Sequence, residues 1–129
     1  MASDPVLIVD DNPQNLKLAK VILAAQGYAV KTAIDAEDAL RILESFRPRL
    51  ILMDLQLPRM DGLELTRRLK GDPARREIII IALTAYAMKG DDEKAFAAGC
   101  DGYMSKPIDI DALPRVVADH LARSVKPRG

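Results

Sequence analysis

Tryptophan is absent from this chain of 129 residues, cysteine and histidine occur once each, and aromatic residues make up only 4%. Without tryptophan, no intrinsic indole signal can report ligand binding. A lone cysteine, Cys100, excludes an internal disulfide and fits a reducing compartment. It stands between Gly99 and Asp101 with no cationic neighbour to favour a thiolate, so it reads as a small buried hydrophobe. An excess of one charge is also missing, because 19 basic residues balance 19 acidic ones. That balance leaves no field to attract nucleic acid or an anionic membrane, and no basic stripe for a DNA-contacting helix. No apolar run approaches the ~20 residues that span a bilayer. The start, Met1-Ala2-Ser3-Asp4, has no basic region of the kind that precedes a signal sequence, and a cytoplasmic location is expected. No repeat, low-complexity tract or interdomain linker interrupts the chain. One domain over residues 1–129 is expected, with a core from about residue 4 to residue 123 and a tail at Ser124–Gly129.

What is present is an alternation of apolar, strand-like runs with segments of helical periodicity, which reads as repeated βα units. Asn12-Pro13 makes a good helix start, a capping side chain followed by a residue whose fixed φ suits the first turn. Leu16, Ala19 and Leu23 give that helix an apolar face, and Gly27 stops it. A weaker strand, Tyr28–Ala33, interleaves Lys31 and Thr32 and is expected at a sheet edge, since central parallel strands are apolar on both faces. Asp35 can cap a helix from Ala36 to about Phe46, which Pro48 ends. Gly62 opens a helix over Leu63–Lys70. A fourth helix falls within Met88–Ala98, closing at Gly99. The last is expected from Asp111 to about Arg123, because Pro114 is tolerated only in a first turn. Five strands and five helices in strict alternation predict an α/β fold with a doubly wound parallel sheet.

The strand endings carry the chemistry. Val6–Val9 stops at Asp10-Asp11, Leu50–Met53 at Asp54, Ile78–Leu83 at Thr84, and Tyr103–Ser105 at Lys106. In a parallel sheet these endings share the carboxyl edge, where such folds bind ligands. Two carboxylates about 4 Å apart repel by roughly 4 kcal/mol at an effective dielectric of 20, so Asp10, Asp11 and Asp54 would raise one another's pKa values or recruit a cation. Oxygen-only ligands suit a hard ion, Mg²⁺ or Mn²⁺, and Mg²⁺ is commonly completed by phosphate. Asp54 can act as a nucleophile and carry a phosphoryl group as an acyl phosphate. Lys106 would offset charge on the phosphoryl oxygens, and Thr84 offers a hydroxyl to one of them. Taken singly, each residue has a plainer role: Asp10-Asp11 as a turn, Thr84 as a loop cap, Lys106 as a solvated charge. Four strand ends agreeing argues for function.

In Val9-Asp10-Asp11-Asn12, Leu52–Gly62, Leu83-Thr84-Ala85 and Ser105-Lys106-Pro107, taken in order, the chain resembles the CheY-like receiver domains of two-component response regulators over nearly its whole length. The resemblance implies a flavodoxin-like strand order of 2-1-3-4-5. It implies Asp54 as phosphoacceptor, Asp10, Asp11 and Asp54 around Mg²⁺ with the backbone carbonyl of Gln56 as a further ligand, and Lys106 as the phosphate-pairing cation. Thr84 and Tyr103 would be the switch residues, Gln56 and Tyr86 would tune acyl-phosphate lifetime, and the Lys106-Pro107 bond would be cis. For Tyr103, packing on a half-buried strand is the plainer reading. The partners implied are a histidine kinase or histidine phosphotransfer protein, and a downstream protein meeting the helix 4–strand 5–helix 5 face. The chain is expected to be a monomer or weak dimer and not an enzyme, beyond assisting its own phosphorylation and dephosphorylation.

The stretch Thr84–Asp91 and the lack of an output domain resemble single-domain, cell-cycle-type receivers of the DivK kind. A receiver cut from a hybrid histidine kinase is the alternative. A haloacid-dehalogenase-like phosphatase is disfavoured, because its second acid would stand where this chain has Gln56. His120, late in the last helix, is expected on the helix surface or capping its C-terminus, with no part in phosphotransfer.

Overall fold

The computed structural model describes residues 4–57, 60–84 and 90–124. The elements are β1 (Pro5–Val9), α1 (Pro13–Ala25), β2 (Ala29–Ala33), α2 (Ala36–Leu43) and β3 (Leu50–Asp54). They continue with α3 (Gly62–Lys70), β4 (Ile79–Thr84), α4 (Asp91–Ala98), β5 (Gly102–Ser105) and α5 (Ala112–Ser124). All paired strands run parallel, in the order β2-β1-β3-β4-β5. The half-polar β2 is at an edge, while β3 and β4 are buried along their whole length. Among the described residues, no helix is long and apolar enough to cross a membrane.

Period-two alternation divides the core between the two faces of the sheet. Leu7, Val9, Ile51, Met53, Ile80 and Ala82 join the side packed by Ala36, Ala39 and Leu43 of α2, Leu65 and Leu69 of α3, and Ala95 of α4. Val6, Ile8, Leu50, Leu52, Ile81 and Leu83 join Leu16, Ala19, Ile22 and Leu23 of α1 with Leu113, Val117 and Leu121 of α5. Burying both faces of the central strands leaves only the strand ends for polar chemistry.

Caps set the helix boundaries. The Asn12 side chain accepts from the Gln14 and Asn15 amides, with Pro13 in the first turn. Gly27 follows α1 at φ 94°, a conformation glycine adopts without strain. Asp35 caps α2 through the Asp38 amide. That helix ends at Leu43, short of the expected Phe46, because Glu44 and Ser45 donate to Arg41 and Ile42 in a tightened last turn. Asp61 caps α3, so Gly62 is its first residue. Asp109 accepts from the Asp111 and Ala112 amides, which moves the α5 start to Ala112 and keeps Pro114 in the first turn. Ser124, expected in the tail, closes α5.

Cys100 is buried, 3.8 Å from the Thr66 hydroxyl, and burial pushes its thiol pKa up. His120 is partly exposed on α5. Its ring packs over Gly102 of β5, where a Cβ would lie 2.7 Å from Nε2, and burial lowers its pKa, with the Arg123 charge adding to the effect.

At the amino end of the sheet, Lys70 Nζ donates to the carbonyls of Arg76 and Ile78 and to Asp101 Oδ2. The same carboxylate oxygen accepts the Ile80 amide at 2.9 Å. Asp101→Ala would leave that donor without its acceptor, and we predict a loss of about 1–3 kcal/mol. Urea unfolding should show a lower midpoint at unchanged slope.

Candidate functional site

The sheet register assembles the site. Asp54, the last residue of β3, lies opposite Leu83 of β4, and Thr84, the last of β4, lies opposite Ser105. Asp10 follows β1 directly, tied by its amide to the Ala33 carbonyl. Lys106 follows β5, and its amide donates to the Thr84 carbonyl at 2.7 Å. The next peptide bond, Lys106–Pro107, is cis.

These placements bring charges together out of water. The side chains of Asp10 and Asp54 are 1% and 2% exposed, and a single ammonium, Lys106 Nζ, bridges them at 2.9 Å and 3.2 Å. Asp10 also accepts from the Asn12 amide at 2.9 Å and from Asn15 Nδ2 at 3.4 Å. Asp54 Oδ1 accepts the Gln56 amide at 3.0 Å. The exposed Asp11 completes a set of three carboxylates whose oxygens lie within 4.8 Å of one another. Burial pushes the Asp54 pKa up and the Asp10 charge adds to this, while the Gln56 amide and Lys106 act against it. Burial alone would lower Lys106, but its hydrogen bond to Asp10 and the charges of Asp54 and Asp10 outweigh that and raise it.

Thr84 is fully buried, and its Oγ1 accepts from the exposed Gln56 carboxamide at 3.1 Å. Tyr103 is half-buried on β5 and packs on the α2–α3–α4 side of the core. Tyr86 lies outside the described residues, as do Pro58 and Arg59 of the motif after Asp54.

Three contacts were not legible beforehand. Asn15 reaches Asp10 through one turn of α1, and nothing in its sequence context marks it. Gly62, read only as a helix opener, passes so close to the acceptor strand that a Cβ would lie 2.3 Å from the Asp54 carbonyl oxygen. The resemblance implies a part for Gln56 in acyl-phosphate lifetime, whereas its side-chain bond to Thr84 depends on the β3–β4 register.

Oxygen ligands alone, two of them buried and sharing one ammonium, fit a hard divalent ion. The three carboxylates could hold one such ion between them.

Two outcomes follow from this geometry. Gly62→Ala forces a methyl group into the Asp54 carbonyl, and its destabilisation should reach about 1–3 kcal/mol in chemical denaturation. Because the folded-state pKa of Asp54 is raised, its contribution to stability is present below the ordinary value of 3.8 and is lost as pH rises through the raised value. Asp54→Asn in chelator should therefore melt above the unsubstituted protein at neutral pH, with the gap closing as pH falls towards 3.8. A lower Tm for the variant at neutral pH would contradict the assignment.

Comparisons place this architecture among known proteins. Residues 6–118 match the response regulator receiver domain family. The polar-differentiation response regulator DivK of Brucella anthropi is 43% identical over 116 residues, 90% of this chain and 94% of that one. The crystal structure of a CheY-like receiver domain protein from Methanospirillum hungatei aligns with TM-score 0.87 at 31% identity, covering 95% of this chain and 96% of that one. The receiver domain of a Pseudomonas aeruginosa sensor histidine kinase, with magnesium coordinated in its active-site cleft, aligns with TM-score 0.84 at 36% identity, covering 94% and 99%. Receivers bind Mg²⁺ at an acidic site and act in phosphorylation-based two-component signalling as signalling proteins rather than catalytic enzymes. With a carboxyl-edge acid cluster, a 2-1-3-4-5 sheet and DivK-like sequence, this chain belongs to the response regulator receiver family.

Proposed function

We propose that the chain is a DivK-type receiver, one domain over residues 1–129, that accepts a phosphoryl group on Asp54 and switches a protein-binding surface. The observation that carries this reading is the buried Asp54 carboxylate, bridged to Asp10 by Lys106 beside an exposed Asp11. The donor would be a phosphohistidine on a histidine kinase or phosphotransfer protein, and the setting cytoplasmic.

Asp54 attacks phosphorus through a carboxylate oxygen, the phosphorus–nitrogen bond of the donor breaks, and an acyl phosphate forms. No base is needed, because the nucleophile is already ionised. The transition state is loose and its charge is spread over the phosphoryl oxygens, so positioning and neutralisation dominate. The Gln56 amide and Lys106 hold Asp54 in place. Lys106 then turns its ammonium from the carboxylates to the new phosphoryl oxygens. Asp10, Asp11 and Asp54, with the Gln56 carbonyl, would hold Mg²⁺, which supplies the second counter-charge; Mn²⁺ suits the same oxygens. Thr84 donates its hydroxyl to a phosphoryl oxygen, the chain beyond it follows, and Tyr103 changes rotamer. Gln56 and Tyr86 would then set how long the acyl phosphate survives. The α4–β5–α5 face thereby changes its affinity for a downstream partner, a shift between pre-existing states. The chain works as a monomer or weak dimer.

A receiver within a histidine kinase would use the same chemistry, and the similar Pseudomonas aeruginosa receiver belongs to a sensor histidine kinase. The 43% identity to DivK favours the DivK-type reading.

Incubation with acetyl phosphate and Mg²⁺ should produce a retarded band on a phosphate-affinity gel, absent from Asp54→Asn; label that survives the substitution removes Asp54 as acceptor. Mg²⁺ at a hundred times its Kd should stabilise the protein by about 2.7 kcal/mol. Asp11→Asn, at an exposed position, should cost under about 0.5 kcal/mol without metal but abolish the Mg²⁺-dependent rise in Tm. Beryllofluoride with Mg²⁺ should move the amide resonances of Thr84, Gly90 and Tyr103; unchanged resonances would contradict the switch.

A further inference from the structure

Gln56 touches the site twice. Its backbone amide donates to Asp54 Oδ1 at 3.0 Å, and its carboxamide Nε2 donates to Thr84 Oγ1 at 3.1 Å. One residue thus links the proposed acceptor to the proposed switch hydroxyl. Exposure differs sharply along this link, since Thr84 is fully buried and Gln56 is exposed. The buried hydroxyl is therefore engaged from the solvent side by an exposed side chain.

The main chain of Thr84 has little room to respond. Thr84 pairs with Ser105 in the β4–β5 ladder, and its carbonyl accepts the Lys106 amide at 2.7 Å. Rotation about χ1 is a motion open to the hydroxyl on this anchored main chain. Threonine is β-branched, so χ1 takes a few discrete wells. A hydroxyl that jumps between wells is a two-state element, and whatever hydrogen-bonds it in one well biases the equilibrium.

We propose that Gln56 is a positioning residue whose carboxamide holds the Thr84 hydroxyl in its resting place, so that a phosphoryl group on Asp54 must draw Thr84 away from Gln56. This rests on Asp54 being the acceptor. A resting hold lowers apparent affinity for a phosphoryl mimic by the fraction of molecules with Thr84 held. Breaking one neutral hydrogen bond corresponds to about three- to tenfold in an equilibrium constant. Residue 56 thereby sets how readily the switch follows the phosphoryl group, separately from its access to water.

The test is titration of beryllofluoride with Mg²⁺ into the unsubstituted protein, Gln56→Met, Gln56→Asn, Thr84→Val and the double variants. Methionine removes the amide at similar length, and asparagine keeps the amide but shortens its reach by one methylene. Both should tighten beryllofluoride binding about three- to tenfold and neither should change it in the Thr84→Val background, the signature of a pairwise interaction. The Thr84 methyl resonance of unliganded Gln56→Met should move towards its beryllofluoride-bound position, which a change in fold stability alone would not produce. Unchanged or weaker binding in the Gln56 variants, or an equal effect with and without the hydroxyl, overturns the hold while the acceptor assignment stands. Failure of the unsubstituted protein to bind beryllofluoride overturns both.

Discussion

The contact on which the rest of this structure depends is one ammonium shared by two buried carboxylates. Lys106 lies 2.9 Å from Asp10 and 3.2 Å from Asp54, and both acids are almost wholly removed from water. Two such acids about 4 Å apart would repel by roughly 4 kcal/mol at an effective dielectric of 20, and removing ions from water costs more. Lys106 offsets part of that cost and leaves the cluster one negative charge in excess, with the exposed Asp11 adding another. That excess of carboxylate oxygens suits a hard divalent cation.

A cluster that costs stability survives only if its frame cannot relax. Here the frame is the parallel sheet, with Leu7, Val9, Ile51 and Met53 packed on one side and Ile8, Leu52 and Leu83 on the other. Main-chain bonds from Leu55 to Leu83 and from Lys106 to Thr84 hold the strand ends in register. The strands thus hold their ends fixed, and the side chains of Lys106, Gln56 and Thr84 meet at that edge. Gln56 links the charged cluster to the Thr84 hydroxyl, through its backbone amide on one side and its carboxamide on the other.

Much of this was legible in local pattern. The half-polar Lys31-Thr32 placed β2 at an edge because a central strand cannot bury a lysine. Asn12-Pro13 and Asp35 marked helix starts because capping is local chemistry. Boundaries moved where a neighbouring side chain decided them. Asp109 took the α5 cap and moved its start to Ala112, and the last turn of α2 tightened before Pro48. The contact of the His120 ring with Gly102 was not legible, because Gly102 lies on another element and has no side chain to mark it.

By itself the sequence determined which residue types stand at which strand ends, since hydrophobic period and cap chemistry act over a few neighbouring residues. Asp10, Asp11, Asp54, Thr84 and Lys106 follow from that reading alone. Only the tertiary structure decided that Lys106 bridges Asp10 and Asp54, that Gly62 must lack a Cβ beside the Asp54 carbonyl, and that the Gln56 carboxamide reaches the Thr84 hydroxyl. Those contacts join residues 28 positions apart or more, or depend on how closely two backbones approach. Such distances are set by sheet register and packing, which no local pattern encodes.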